Sequence, residues 1–382
     1  MNPGRILLFG GSFDPPHNGH LSLLKCARKT IKPERTYLLP AWRSPLKGPS
    51  AVPARTRLEL LRLALREGAD PESESLRIDP FELERGRTTY TYEAVREMRR
   101  RHPGAKIFFL AGSDSLKNLH LWRRPEELRR SCTFAAGMRP GHPTIAEKDL
   151  DFIRLPGTFP AVSSTQVRVR LLCGLDTSST LASSVLARIR TLGLYGTGLN
   201  RTLGEELPAR RFHHTLGVAR IAAELAGLYG LDPERAALTG LLHDCARAMS
   251  PKQLVHYARR QQLHVPAIEE IVRRKPALLH AYVGEHLCRH RFGIRDPEIL
   301  SAVRKHTLGD PHMSTFDRLL YVADACSEER RYAEAYRIRR LARKSLAEGF
   351  QETVRIKLAW VLRSADWMHP FGPALWNQAI AR

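Results

Sequence analysis

The chain has 382 residues, is 43% apolar and carries a formal net charge of +22. This length favours two domains, and the apolar fraction is that of ordinary globular proteins rather than disordered ones. No run approaches the roughly twenty apolar residues of a membrane span, and we expect no signal peptide because the first apolar run is too short.

The first part of the chain, from residue 5 to about 170, alternates short apolar runs with stretches of helical spacing. The apolar runs predict strands at 6–9, 36–39, 107–111, 132–136 and 152–155. The stretches between them predict helices at 21–30, 54–66 and 91–101. Such alternation is typical of an α/β doubly wound parallel sheet, in which ligands bind at the carboxyl ends of strands.

The first predicted strand runs directly into GGSFDPPHNGH, residues 10–20. Gly10 and Gly11 allow the backbone to approach a ligand closely, and the two prolines impose a rigid turn. His17 and His20 are three residues apart where the next helix begins, so both rings share one helix face. A helix start attracts anions, and imidazoles beside it could stabilise charge on a phosphate. The alternative is a tight turn before a capped helix, but the two histidines after a strand favour a phosphate site.

A second candidate anion site lies in VSSTQVRVR, residues 162–170. Ser163, Ser164 or Thr165 can cap a helix, and Arg168 comes one turn inside it. Hydroxyls at a helix start with an arginine one turn later make a good phosphate clamp. Taken alone, this pattern is more often a cap followed by a surface arginine.

Together the two stretches resemble nucleotidyltransferases of the H-x-G-H class, and specifically the nicotinate mononucleotide adenylyltransferase family. The resemblance covers residues 5 to about 195 and includes YTYEAV, FLAGSDSLKNLHLW and LARIRTLGLY. Phosphopantetheine adenylyltransferases share the two-histidine motif but lack a matching Ser-Ser-Thr-x-Val-Arg. The resemblance implies transfer of AMP from ATP to nicotinate mononucleotide with release of pyrophosphate, aided by Mg²⁺ and without a covalent intermediate.

The same resemblance implies a set of site residues. His17, His20 and Arg168 are the expected catalytic residues, with the histidines acting on the α-phosphate. The expected nucleotide-binding residues are Gly10, Gly11, Ser12, Phe13, Lys47, Thr91, Gly112, Asp114, Trp122, Ser164 and Thr165. Thr91 and Trp122 would line the nicotinate pocket, although core packing explains Trp122 equally well. The chain departs from the family at Leu46, where a histidine is usual, and at Leu181-Ala182, where Leu-Pro is usual.

From about residue 210 onward, helical spacing replaces the strand pattern. Helices are predicted at 219–229, 234–242, 251–261, 281–290, 297–306 and 315–325. The polar, glycine-bearing stretch 196–206 is predicted to be a linker, which gives a nucleotidyltransferase domain at 1–195 and an all-α domain at 207–382.

The helical part is rich in histidines, and its most informative stretch is LLHDCAR. There His243 and Asp244 are adjacent, and adjacent side chains on a helix point about 100° apart. Both can therefore bind metal only if one ion lies near the helix surface or if two ions are present. His214, His280, His306 and Asp324 also lie in or beside apolar helical stretches. Imidazoles with carboxylates suit Fe, Mn, Co or Zn. A single histidine of this kind is more often a core residue with satisfied hydrogen bonds. Several such histidines together with two aspartates favour a metal site.

These residues resemble the HD superfamily of metal-dependent phosphohydrolases, in particular its bacterial symmetrical bis(5'-nucleosyl)-tetraphosphatases. The resemblance covers about 207–382, including RRFHHTLGV, AVRKHTLGDPHMS, YVADACSEERR and WMHPFGPALWNQ. It implies two transition metals, with Fe, Mn or Co expected, and cleavage of diadenosine tetraphosphate into two ADP. The implied ligands are His214, His243, Asp244, His280, His306 and Asp324, with Asp244 bridging and also catalytic. Arg247, a nucleotide-binding candidate, stands where the family often has lysine, and His213 competes with His214 as ligand.

The remaining composition leaves other interpretations open. The six scattered cysteines favour reduced thiols in a cytoplasm over disulfides or a zinc knuckle. The positive charge indicates anionic partners or only an arginine-rich surface, and few aromatics make RNA binding the least favoured alternative. A second alternative keeps the adenylyltransferase and makes the helical half a nucleotide-sensing module without hydrolytic activity. No membrane partner is expected, and an oligomer is compatible with the sequence.

Overall fold

The computed structural model describes residues 3–45, 48, 50, 52–68, 75–138 and 152–380. The chain divides into two compact units, one of residues 1–168 and 176–194 and the other of 169–175 and 195–382. No helix among the described residues is both long and apolar enough to cross a membrane. All six cysteines are free thiols.

The first unit is built on a parallel sheet of six described strands in the order β3-β2-β1-β4-β5-β6. The strands are β1 Arg5–Gly11, β2 Arg35–Pro40, β3 Leu76–Ile78, β4 Lys106–Gly112, β5 Thr133–Gly137 and β6 Phe152–Leu155. β1 is a continuous apolar run because both faces of the sheet are covered, with Leu8 in one core and Leu7 in the other. The predicted α/β doubly wound fold is thus confirmed.

The helices of this part of the chain are α1 Asn18–Ile31, α2 Ala54–Glu67, α3 Phe81–Glu84, α4 Thr91–Arg101, α5 Ser113–Lys117, α6 Pro125–Ser131, α7 Ser164–Leu172 and α8 Ser183–Leu192. The end of α7, residues 169–172, belongs to the second unit. The strand β3 is not among those predicted from the sequence, because its three residues give too little alternation to recognise.

The second unit is helical throughout the residues that the structure describes. Its helices are α9 Thr197–Glu206, α10 Ala209–Leu228, α11 Pro233–Leu242, α12 Pro251–Arg260, α13 Ile268–Arg274, α14 His280–His290, α15 Pro297–Lys305, α16 Thr315–Ala325, α17 Ala333–Lys344, α18 Leu346–Arg363 and α19 Phe371–Ile380. The stretch expected to be a linker contains α9, whose Leu203 is fully buried in this unit's core. The glycines and polar residues of this stretch favoured a linker in the sequence, but the stretch forms an amphipathic helix.

One buried carboxyl makes the stability of the first unit depend on pH. Burial, followed by repulsion from Glu93, raises the pKa of Glu82 in α3 to about 7 from 4.5, against opposing effects of Arg85 and Arg57. Below pH 4.5 the group is protonated whether the chain is folded or unfolded. Between pH 4.5 and 7 the unfolded chain releases this proton first, so the native state loses stability as the pH rises.

We therefore expect Glu82→Gln to stabilise the first unit at pH 8, by up to about 3 kcal/mol. At pH 4.5 the same variant should match the wild type. Thermal unfolding of the full chain at both pH values checks this, with the exposed neighbour Glu84→Gln as matched control. Equal unfolding temperatures of Glu82→Gln and wild type at pH 8 would contradict it.

Candidate functional sites: a helix-start cradle and a histidine–aspartate cluster

The first candidate site lies where the strand order of the sheet reverses. β1 pairs with β2 on one side and with β4 on the other, with Phe9 opposite Leu110 near the carboxyl ends. The loops after β1 and β4 diverge there, which is where open α/β sheets form a ligand crevice. Gly10 and Gly11 end β1, and Gly112 ends β4.

The two histidines of this site flank the start of α1. His17 is the N-cap residue and is buried, and its backbone N–H donates to His20 Nδ1 at 3.2 Å. The rings stack with centroids 3.7 Å apart. Because Nδ1 of His20 accepts, the proton of the neutral ring lies on Nε2, which can donate to a phosphate oxygen. Gly19 permits this arrangement, since a Cβ there would lie 3.0 Å from His17 Nδ1.

The distant VSSTQVR stretch lies against the same loop. Ser163 and Gln166 cap the start of α7 reciprocally, through Gln166 N–H to Ser163 Oγ at 3.2 Å and Ser163 N–H to Gln166 Oε1 at 2.9 Å. Inside the helix, Ser164 Oγ donates to the Pro15 carbonyl at 3.0 Å, and Arg168 Nη1 donates to the Asp14 carbonyl at 2.7 Å. The structure thus brings together the two stretches that the sequence places about 150 positions apart.

Arg168 is also held by Thr165, whose Oγ1 accepts from Nη2 at 3.3 Å. The helix start therefore presents a fixed guanidinium charge beside the loop of residues 10–16. A preorganised cation next to imidazole donors and a helix N-terminus is suited to binding and neutralising phosphates.

The other predicted nucleotide-binding residues that the structure describes have different surroundings. Phe13 has a left-handed backbone, with φ of 46°, and its buried ring packs edge-on against His20 at 5.1 Å. Thr91 is the first residue of α4. Trp122 is partly buried and contacts the rings of Phe109 and Phe134 edge-on, so part of it packs on the core. Lys47 and Leu46 lie outside the described residues, as does the side chain of Asp114.

A residue not singled out from the sequence holds the loops of this site together. Arg57 in α2 is almost fully buried, and its guanidinium donates to the carbonyls of Ser12, Ala41, Trp42 and Val52. It therefore ties the loop after β1 to the loop after β2. In the sequence it is one arginine among many on an amphipathic helix, so no local signal marks it.

The second candidate site lies in the helical unit and gathers the predicted metal ligands. His243 follows the last residue of α11, His280 begins α14 and His306 follows α15. In each of the three, Nδ1 lies 2.7 Å from a carbonyl three residues earlier, those of Gly240, Ala277 and Val303. Since a carbonyl only accepts, each Nδ1 carries the proton and each Nε2 presents a lone pair.

These lone pairs converge. His280 Nε2 lies 3.1 Å from His306 Nε2, and the Thr307 hydroxyl lies within 3.0 Å of both. His243 Nε2 is fully buried and lacks a hydrogen-bond partner in the described structure. Burial lowers the pKa of His306 to about 4, which keeps that ring neutral. Burial opposes a charge on His243, but Asp244 and Asp324 raise the pKa of that ring. Imidazole nitrogens that face one another beside a carboxylate are the donor set of a metal site, so these residues fit a divalent metal.

Asp244 joins the histidines into two potential ligand groups. One is His214, His243 and Asp244, the other is Asp244, His280 and His306, and in each the ligand atoms lie within 4.8 Å of one another. Asp324 adds a second carboxylate, with Oδ1 at 3.1 Å from His214 Nε2. His214 is buried and also contacts Ser327, whereas His213 is exposed. Of this adjacent pair, the structure therefore places His214 in the cluster.

Four cations surround the two carboxylates, and only Arg247 is among the residues singled out from the sequence. Arg211 Nη1 lies 2.8 Å from Asp244, and Arg247 Nε lies 3.4 Å from it. Arg330 Nη2 lies 3.2 Å from Asp324, and Lys357 Nζ lies 3.9 Å from it. We call these four residues the cation rim, because their side chains are 30–36% exposed while those of Asp244 and Asp324 are 3% and 13% exposed.

Comparison with known proteins identifies one family in each half of the chain. Residues 8–170 match the Cytidylyltransferase-like family, and residues 211–329 match the HD domain family. A Mycoplasma genitalium protein named "Probable nicotinate-nucleotide adenylyltransferase/Ap4A hydrolase" is 28% identical over 371 residues, covering 92% of this chain and 97% of that protein. An Exiguobacterium sibiricum protein named "Probable nicotinate-nucleotide adenylyltransferase" is 34% identical over 193 residues, which cover 50% of this chain and all of that protein.

Two solved structures are also similar to part of the chain. The crystal structure of a "predicted HD superfamily hydrolase involved in NAD metabolism" from Clostridium acetobutylicum is 27% identical, with a TM-score of 0.46, and covers 48% of this chain and 95% of that one. Plasmodium falciparum nicotinic acid mononucleotide adenylyltransferase, solved with NaAD, is 20% identical, with a TM-score of 0.45, and covers 51% of this chain and 99% of that one.

Proposed function

Because its first half belongs to the nicotinate-nucleotide adenylyltransferase family, we propose that this chain transfers AMP from ATP to nicotinate mononucleotide, giving nicotinate adenine dinucleotide and pyrophosphate. We assign this activity to residues 1–195. The observation that carries the proposal is the docking of the α7 start, through Ser164 and Arg168, onto the loop that leads into His17 and His20.

In this transfer the phosphate of nicotinate mononucleotide attacks the α-phosphorus of ATP, and the bond to pyrophosphate breaks. Little covalent chemistry falls to the protein, which must align two anions and stabilise charge. His20 donates from Nε2, beside His17 at the helix start. Ser164 fixes the loop at Pro15, and Thr165 and Arg168 bind the remaining phosphate oxygens. Mg²⁺ bound with ATP would add positive charge at the phosphates.

The test is product analysis with the full chain, ATP, Mg²⁺ and either nicotinate or nicotinamide mononucleotide. We expect a dinucleotide and equimolar pyrophosphate, with nicotinate mononucleotide the better substrate. Formation of neither dinucleotide, with ATP binding intact, would contradict the proposal.

We further propose that residues 207–382 hydrolyse diadenosine tetraphosphate to two ADP. The observation that carries this proposal is Asp244, a carboxylate shared by two groups of potential metal ligands. We infer that His214, His243, Asp244, His280, His306 and Asp324 would hold two divalent ions, of Fe, Mn or Co. When bound, such ions neutralise phosphate charge and lower the pKa of water.

The chain's own residues orient the metal ligands and bind the substrate. The carbonyls of Gly240, Ala277 and Val303 fix the tautomers of three ligand histidines. Arg247 lies at the cluster with an exposed part and can bind a substrate phosphate bidentately, as lysine cannot. The two carboxylates are largely shielded from water, whereas the side chains of the cation rim are partly exposed, so we expect substrate phosphates to contact the rim.

The products decide between hydrolysis at the centre of the tetraphosphate and other reactions. We expect ADP as the only nucleotide product from the full chain supplied with Mn²⁺ or Fe²⁺. ATP together with AMP would indicate asymmetrical cleavage. Binding of diadenosine tetraphosphate without any product would instead support a nucleotide-sensing module.

A further inference from the structure

Lys357 belongs to a helix outside the stretch that matches the HD domain family, yet its ammonium lies at the cluster. It lies on α18, whereas the match ends at residue 329. Its Nζ is 3.9 Å from Asp324 Oδ2, donates to the His306 carbonyl at 3.2 Å and lies 3.6 Å from the centroid of the Tyr321 ring. One helix of the C-terminal region thus delivers a cation to the second carboxylate.

The neighbouring cation already neutralises this carboxylate more directly. Arg330 reaches Asp324 Oδ1 at 3.2 Å and its backbone carbonyl at 2.8 Å. The Lys357–Asp324 separation is too long for a hydrogen bond, and an ammonium has three N–H donors. In the described structure Lys357 makes one hydrogen bond, so it retains donors for a ligand.

The charge of the whole cluster indicates what that ligand is. The rim places four cations against the carboxylates of Asp244 and Asp324, and Glu329 adds a third carboxylate, 4.0 Å from His214 Nδ1. Among these side chains positive charge exceeds negative charge even without metals. A single phosphate at the metals would not contact the cations at both Asp244 and Asp324. A chain of several phosphates would contact both pairs, because each phosphate beyond the reacting one adds negative charge.

Resting on the proposed hydrolytic function, we propose that Lys357 binds a non-reacting phosphate and so makes the site selective for polyphosphate chains. Lys357 is then a substrate-binding residue supplied by α18. A purely structural lysine would instead support the fold or the metal ligands and would affect all phosphate ligands alike.

The experiment compares Lys357→Met and Lys357→Gln with wild type in the full chain loaded with Mn²⁺. Lys344→Met, at the exposed end of α17, is the matched control for loss of one positive charge. We expect the KM for diadenosine tetraphosphate to rise about tenfold and kcat to change less than about threefold. Inorganic tripolyphosphate binding, measured by calorimetry, should weaken about tenfold, and inorganic phosphate binding less than about twofold.

Metal content by mass spectrometry and thermal unfolding provide readouts independent of turnover. Unchanged tripolyphosphate affinity in both variants would overturn the proposal, as would loss of metal or equal weakening for phosphate and tripolyphosphate. If the wild type fails to hydrolyse diadenosine tetraphosphate, the hydrolytic function fails. The calorimetric comparison still decides whether Lys357 recognises phosphate chains.

Discussion

Asp244→Asn should abolish diadenosine tetraphosphate hydrolysis, with a loss of at least about 10³-fold, because the shared carboxylate serves both potential metal positions. An asparagine has similar size but lacks the negative charge, and its amide nitrogen cannot ligate. We expect metal content to fall together with activity. AMP transfer in the same sample should remain within about twofold of wild type, since the two reactions use separate residues.

The neighbouring histidines supply a matched pair for the same measurement. His214→Ala should lose metal and hydrolysis because His214 lies in the cluster, whereas His213→Ala, which lies outside both ligand groups, should retain both. Full hydrolysis by Asp244→Asn, or equal effects of the two histidine variants, would contradict the assignment of this site.

His20→Asn should lower kcat for AMP transfer by about 10²–10³-fold, the range found when one preorganised donor to a developing negative charge is removed. The asparagine oxygen can take the place of Nδ1 and accept from the His17 backbone N–H, so the start of α1 stays capped. What the variant lacks is Nε2. The expected effect is therefore on kcat, with the KM for ATP changed much less.

His20→Ala is the companion variant, because it removes both the accepting and the donating nitrogen. We expect it to lower the unfolding temperature as well as kcat, while His20→Asn unfolds close to wild type. Steady-state kinetics and thermal unfolding separate the two contributions. Wild-type kcat in His20→Asn would show that the ring acts only on the helix start.

The fold of the first half could largely be predicted from its sequence. Buried parallel strands are continuous apolar runs, so five of the six described strands lie within one or two residues of their predicted bounds. β3 is too short to give a pattern. In the second half α13, α18 and α19 were not predicted. The glycine-bearing α9 was expected to be a linker, because its apolar face is evident only from what it packs against.

Some residues of the candidate sites could be recognised in the sequence and others could not. Histidines and aspartates in apolar helices are conspicuous because burial of such groups needs compensation, so the cluster was visible in the sequence. The cation rim was not, since Arg211, Arg330 and Lys357 are ordinary members of an arginine- and lysine-rich chain. Only the folded structure shows which of these cations meet at the two carboxylates. Arg57 was hidden for the same reason.

The most direct test of a chain with two separate active centres is metal removal from the purified full chain, followed by both assays on one sample. After the chelator is removed and Mg²⁺ is supplied, we expect AMP transfer at the untreated rate and no hydrolysis. Restoring about two Mn²⁺ or Fe²⁺ ions per chain under reducing conditions should restore ADP as the only product. Hydrolysis that persists without these ions, or that never appears with them, would contradict the account.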